Sequence, residues 1–132
     1  MIVKKHGGMI RKDRLYSIEE VLSKISFNRG SGEVNFDGDR IKMTSDRYKT
    51  FAEKGVTCCD CGLEGKFFAK ERDKLQHRYH FNLYAIDDEG DEVLMTKDHI
   101  IPHSKGGQNN IDNYRTMCKI CNELKSDNLE VI

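Results

Sequence analysis

Four of the five cysteines stand in two C-x-x-C pairs, Cys58 to Cys61 (C-C-D-C) and Cys118 to Cys121 (C-K-I-C). Each pair presents two thiols from one tight turn, and two such turns brought together complete the tetrahedral four-sulfur shell that zinc accepts. The segment between them, residues 62–117, is far longer than the roughly 15 to 20 residues of a short zinc ribbon. Something with its own structure therefore lies between the two halves of the site. A redox C-x-x-C needs one pair and a surrounding parallel βαβ pattern, which this sequence lacks. A disulfide framework fits no better, because the count is odd and the opening MIVKKHGGMIRKDR has no apolar run of a secretory signal. The expectation is a structural Zn²⁺ held by Cys58, Cys61, Cys118 and Cys121, with Cys59 a packed or idle thiol.

A metal is welcome in a chain of this composition. Of 132 residues, 37% are hydrophobic and 33% charged, with no Trp and a mean hydropathy of -0.69, so the core is expected to be modest and the surface heavily solvated. No stretch approaches the roughly 18 consecutive apolar residues of a membrane-spanning helix, and the reading is of a soluble, cytoplasmic protein with no membrane partner. Basic and acidic side chains balance at 22 each, so no global field draws the chain onto nucleic acid. The distribution is uneven: residues 1–57 carry 12 basic and 8 acidic side chains, and residues 58–132 carry 10 and 14. Lys4, Lys5, Arg11, Lys12 and Arg14 crowd the N-terminus, either as a solvated tail or as an arm that grips phosphate.

Ser17-Ile18-Glu19-Glu20 is a capping-box pattern, and Ile18, Val21, Leu22 and Ile25 follow at helical spacing, which predicts a short helix over 17–26. Glu33 to Phe36 and Arg40 to Met43 flank Asp37-Gly38-Asp39 as a small hairpin. Ser45 caps a helix through Lys54 that stops at Gly55. Between the cysteine pairs, strand character over 66–72, 78–86 and 92–97 predicts an antiparallel meander. Pro102 removes a ladder donor after Asp98-His99-Ile100-Ile101, and Ser104-Lys105-Gly106-Gly107 loops out. An extended piece over 114–117 leads to a final helix from Cys118 to about Asp127. The division expected is an N-terminal extension, residues 1–44, and a zinc-stabilised domain, residues 45–132.

On a helix beginning near Cys118, Cys118, Cys121, Asn122 and Lys125 share one face. The Asn122 carboxamide then stands next to a zinc-anchored thiolate, on a rigid support. Asp98 and His99 end a strand, where neighbours point to opposite faces. Both can serve one site only if the backbone leaves strand geometry there, as Pro102 and Gly106-Gly107 predict. Taken alone, an Asp-His pair is more often an ordinary structural pair. With Asn122 at this spacing it suits metal-assisted phosphodiester hydrolysis: Asp98 and Asn122 offer hard oxygens to a Mg²⁺-like cation, and His99 can take a proton from water near neutral pH. His103, Lys105 and Lys125 are candidate phosphate contacts, each with a plain solvated alternative. His77 and His80 read as turn or sheet-edge residues, and His6 has no nameable partner.

The run Asp98-His99-Ile100-Ile101-Pro102-His103-Ser104-Lys105-Gly106-Gly107, continued through Asn113 to Cys118-x-x-Cys121-Asn122-x-x-Lys125, resembles the HNH nuclease family, also called the ββα-metal or His-Me finger fold. The likeness covers residues 93–127, or 58–127 with the first cysteine pair. It is similar too, in the order Asp-His, Asn, Asn, to the HNH domain of the large RNA-guided CRISPR effector nucleases, which is not built around four cysteines. The resemblance implies an α+β fold with a ββα-metal (HNH) core, a four-cysteine zinc site, a small antiparallel sheet and a helical N-terminal extension. It implies that His99 is the general base, that Asp98 and Asn122 bind Mg²⁺ or Mn²⁺, and that Asn113 fixes the loop orienting His99. Many relatives carry His where Asn122 stands, and the amide favours a hard, oxygen-liking cation. The activity implied is a DNA endonuclease, nicking one strand to leave 5′-phosphate and 3′-hydroxyl ends, in a bacterial or phage-infected cell, as a monomer or dimer. The near-zero net charge implies a weak autonomous grip on a duplex, so target choice falls either to the N-terminal residues or to a targeting protein partner. The alternative is a zinc-stabilised nucleic-acid- or protein-binding module without catalysis, which would have no use for Asp98, His99 and Asn122 at these spacings.

Overall fold

The computed structural model describes residues 3–6, 9–25 and 32–128, with side chains for 9–25 and 32–125. Along these residues run β1 (Val3–His6), β2 (Met9–Tyr16), α1 (Ile18–Leu22), β3 (Glu33–Phe36), β4 (Asp39–Lys42), α2 (Asp46–Lys54), β5 (Gly65–Arg72), β6 (His80–Ile86), β7 (Glu92–His99), β8 (Tyr114–Cys118) and α3 (Lys119–Asn128). Strands β3 and β4 form a hairpin, and the other six form one antiparallel sheet in the order β1-β2-β5-β6-β7-β8. The architecture is α+β, as the spacing of apolar residues and turns predicts. Among the described residues no helix is long and apolar enough to cross a membrane.

The helices begin where their caps are written. The Ser17 hydroxyl accepts from the Glu20 amide and the Ser45 hydroxyl from the Arg47 amide, each satisfying an otherwise orphaned first-turn donor. Helix α1 is shorter than the 17–26 expected and ends at Leu22. Helix α2 stops at Gly55, whose φ of 93° is open to glycine and strained for other residues.

The core lies where α1, α2 and the β3–β4 hairpin cover the sheet. Tyr48 and Phe51 of α2 pack on Phe68 of β5, and Tyr16, Phe36 and Phe81 meet edge to face with centroids 4.8 to 5.9 Å apart. Lys70 is buried in this core, its ammonium donating to the Phe36 carbonyl (2.7 Å) and to Asp39 (2.6 Å), so it ties the hairpin to β5. Strand β6 pairs with β7 only over Tyr84–Ile86. Where that ladder is missing, α2 supplies its groups: the Phe81 N–H donates to the Tyr48 hydroxyl (2.9 Å), and the Arg47 guanidinium donates to the Phe81 carbonyl (2.5 Å). A buried backbone pair left unbonded would be costly, so this contact fixes α2 against the sheet.

The segment read as a tail or a phosphate-gripping arm is neither over its described part. Residues 9–16 are a strand that pairs with β5, interrupted by a register shift between Arg11 and Leu15. Its basic side chains are spent on neighbours: Arg11 on Glu71 and Glu92, Lys12 on Asp39, Arg14 on Glu20 and Asp37. The side chains of Lys4, Lys5 and His6 lie outside those described. Tyr16 and Val21 belong to the same core cluster as Phe68, Leu83 and Met95, so the described part of residues 1–44 contributes both sheet and core to the residues that follow.

Candidate active site

Strand β8 runs directly into α3, with Cys118 closing the one and Lys119 opening the other. This brings the second cysteine pair against the first, which follows α2. The four sulfurs of Cys58, Cys61, Cys118 and Cys121 all lie within 4.8 Å of one another, and those of Cys61 and Cys118 are 3.8 Å apart. Thiolates about 2.3 Å from a central ion in tetrahedral array stand about 3.8 Å from each other, so the set fits zinc. The turns are closed by N–H to sulfur bonds, Cys61 to Cys58 (3.5 Å) and Cys121 to Cys118 (3.4 Å). Burial pushes the Cys58 thiol up, but backbone N–H groups outweigh it and bring the thiol down to about 6. Burial and neighbouring sulfurs push Cys118 and Cys121 up instead. Four such groups side by side call for a cation to bear the charge of their thiolate forms. Cys59 stands outside the cluster, exposed, with its amide bonded to the Thr116 carbonyl.

Beside this knot, β7 and β8 hold Asp98 opposite Arg115 and His99 opposite Tyr114. The backbone thus stays in the ladder through His99, two residues beyond the 92–97 expected for this strand. Both side chains border one cleft because it lies across the strand's end. This cleft, of about 280 Å³, is lined by Lys97, Asp98, His99, Pro102, His103, Asn122 and Lys125.

Asp98 is buried and doubly held. Its Oδ2 accepts from Arg115 Nε (3.0 Å) and from Lys125 Nζ (2.8 Å), and the same ammonium donates to the His99 carbonyl (2.9 Å). Its Oδ1 accepts no protein hydrogen bond among the described residues. Asn122 donates from Nδ2 to the Thr96 hydroxyl (3.0 Å), and its Oδ1 likewise has no protein partner among them. Two hard oxygens without a protein partner among the described residues, both on residues lining one cleft, are a donor set suited to Mg²⁺ or Mn²⁺.

The His99 and Tyr114 rings stand perpendicular, with centroids 5.0 Å apart, and His99 Nε2 pairs with Asn109 Oδ1 at 2.9 Å. Nδ1 is left without a protein partner among the described residues. Asn113 clasps the loop between β7 and β8: its Oδ1 accepts from the Ile101 N–H (2.9 Å), and its Nδ2 donates to the carbonyls of Ile101 (3.1 Å) and Gln108 (2.9 Å). Its own carbonyl accepts from Ile100 N (2.8 Å). Gly107 lets the loop close on itself, for a Cβ there would stand 1.8 Å from the Ile101 carbonyl oxygen.

The structure therefore gathers Asp98, His99, His103, Asn122 and Lys125 at one cleft, with Asn113 at the base of its loop. Lys105 lies exposed in a short 3-10 turn and does not line the cleft. Lys125 is already engaged with Asp98. His77 is exposed in the β5–β6 turn, and His80 opens β6 with its pKa pushed down by burial. Sequence reasoning missed Thr96, Asn109 and Arg115. Thr96 was legible in principle, two residues before Asp98 and so on the same face of a strand, whereas Arg115 is opposite Asp98 only through the β7–β8 register.

No curated protein and no solved structure matches the chain. A family model described as HNH endonuclease does match, over residues 87–131. That stretch holds the β6–β7 turn, the two strands bearing Asp98 and Arg115, the loop clasped by Asn113, and the helix bearing Asn122. Residues 87–131 thus match the family model described as HNH endonuclease, and they stand beside four cysteines positioned to hold a metal ion.

Proposed function

We propose that the protein is a metal-dependent DNA endonuclease with a ββα-metal core formed by β7, β8 and α3. The observation that carries the reading is the convergence of Asp98, His99 and Asn122 on one cleft within the matched segment. In this reading Asp98 and Asn122 hold Mg²⁺ or Mn²⁺, which supplies Lewis-acid stabilisation of charge on the phosphate and the departing 3′ oxygen. His99 takes the proton of the attacking water on Nδ1, while Asn109 holds the opposite ring nitrogen and Tyr114 holds the ring's plane. Arg115 and Lys125 hold the Asp98 carboxylate in place through its Oδ2. Asn113 keeps the loop that carries His103 from drifting over the cleft. The products are 5′-phosphate and 3′-hydroxyl ends, one strand cut per encounter, because the chain has one such cleft among its described residues. Zn²⁺ at the four cysteines is structural.

The test is supercoiled plasmid incubated with the zinc-loaded protein and Mn²⁺ or Mg²⁺, with and without EDTA. Nicked product that EDTA abolishes, and that His99→Ala reduces by about 10²-fold or more, is the expected result. Wild-type protein without cleavage under all ions, or His99→Ala with undiminished cleavage, defeats the proposal; the first outcome would favour a zinc-stabilised binding module.

A further inference from the structure

An asparagine can present either its oxygen or its NH₂ to a cleft, and only the oxygen can ligate a cation. Nothing in the chemistry of Asn122 itself decides between them. The deciding group lies on β7. The Thr96 hydroxyl sits 2.7 Å from the Met117 carbonyl oxygen and 3.0 Å from the terminal amide of Asn122. A hydroxyl has one proton, and a carbonyl can only accept it, so the bond to Met117 uses the Thr96 proton. What Thr96 has left for Asn122 is a lone pair. The atom of Asn122 that faces it must then be a donor, the Nδ2 amide, which leaves Oδ1 as the face open to the cleft that Asn122 and Asp98 share. Turning the amide over would set its oxygen against a hydroxyl already committed. To satisfy it, Thr96 would have to abandon the Met117 carbonyl, in a part-buried place where a lost partner is costly.

We propose that Thr96 is a positioning residue that sets the polarity of Asn122, fixing which atom of the amide is offered to a divalent cation. The inference rests on the reading of Asp98 and Asn122 as the cation's holders, and it adds the relay Met117 carbonyl, Thr96 hydroxyl, Asn122 amide. The relay has a built support at each end. Met117 stands opposite Thr96 in the β7–β8 register, and Asn122 follows Cys121 of the four-sulfur cluster on α3. Threonine is also the residue that suits the position: its β-branch fits a strand, and its hydroxyl lies on the same strand face as Asp98.

The experiment compares wild type, Thr96→Val, Thr96→Ser and Asn122→Ala as zinc-loaded full-length chains. Val keeps the shape and β-preference of Thr and deletes the hydroxyl; Ser keeps the hydroxyl. Mn²⁺ alone is titrated, followed by its EPR signal, without nucleic acid. In parallel the Asn122 side-chain NH₂ resonances are recorded in Mn²⁺-free protein, a readout that needs neither bound cation nor catalysis. Expected are a Mn²⁺ affinity lowered about 10-fold or more in Thr96→Val, near wild-type affinity in Thr96→Ser, and NH₂ resonances that are sharp and protected in wild type and Thr96→Ser but exchange-averaged in Thr96→Val. Wild-type Mn²⁺ affinity in Thr96→Val with a clear loss in Asn122→Ala overturns the relay while leaving the cation site standing. Undiminished affinity in Asn122→Ala overturns the cation site, and the relay with it. Unchanged NH₂ resonances in Thr96→Val overturn the relay on their own.

Discussion

Arg11 sits over the Tyr84 ring, its guanidinium carbon 4.8 Å from the centroid, and donates to two carboxylates. Its Nε bonds Glu71 at 2.6 Å, and its terminal nitrogens bond Glu92 at 3.1 and 2.8 Å. Glu71 is fully buried and also accepts from Asn82 (2.7 Å) and the Tyr84 hydroxyl (2.6 Å). Burial opposes the charged form of Arg11 but is outweighed by Glu92 and Glu71, which hold it protonated. Desolvating these ions costs several kcal/mol apiece, and the network repays it only while every partner is present. Arg11→Met keeps the aliphatic stem and strands a buried carboxylate, so it should destabilise the fold by about 3 to 5 kcal/mol. Urea denaturation monitored by circular dichroism measures this, and a variant within about 1 kcal/mol of wild type would show that the network is not needed for stability. At this scale the sequence misleads for a clear reason. Arg11, Lys12 and Arg14 look like a free basic patch, and nothing local marks Glu71, Glu92, Asp39 or Glu20 as the charges that will meet them.

Among the elements, those with strong local signals fall where the sequence places them. Both helix caps, the β3–β4 hairpin, the three strands between the cysteine pairs and the final helix stand within a few residues of expectation. Strands β1 and β2 are the exceptions, and for β2 the register shift between Arg11 and Leu15 explains why. A bulge breaks the two-residue alternation on which strand recognition rests, and a buried arginine occupies a position that ought to read as apolar. The loop from Ile100 to Asn113 shows the opposite case. Its Gly106-Gly107 announces a turn, but only the fold shows that Gly107 must touch the Ile101 carbonyl. Gly107→Ala cannot be accommodated without moving that backbone, which Asn113 holds and which continues into His99. The expected outcome is faster amide exchange over 100–113 and a loss of cleavage on the order of 10²-fold, with the Zn²⁺ content unchanged. Wild-type exchange in this variant would show the contact to be slack.

Across the whole molecule, the four-sulfur cluster joins the turn after α2 to the junction of β8 and α3, and so closes the chain around β5, β6 and β7. Binding of structural zinc is worth roughly 10 to 16 kcal/mol in small metal-folded peptides, which is comparable to the entire stability of a domain of this size. Removing zinc with a strong chelator should therefore lower the melting temperature by tens of degrees or unfold the chain. Protection in β8 and α3 should be lost first, since these are the elements that the cluster anchors. Restored melting and cleavage on adding zinc back, in the presence of Mn²⁺, completes the measurement. A chelated protein with an unaltered melting curve would mean that the apolar core suffices alone.

What the amino-acid order determined by itself is what depends on short range: cap and turn chemistry, the alternation of most strands, the metal-ligand spacing of the cysteines and the ordered run from Asp98 to Lys125. These rest on contacts a few residues long, whose geometry follows from backbone sterics and side-chain type. Only the tertiary structure decided that the basic N-terminal segment is a paired strand, that Lys125 and Arg115 converge on the same oxygen of Asp98, and that Thr96, Asn109 and Gly107 support the residues around the cleft. Each of these depends on the register between strands or on the packing of a helix against a sheet. Such partners are distant in sequence, and many pairings of like residues would satisfy the same local rules until the folded core leaves room for one.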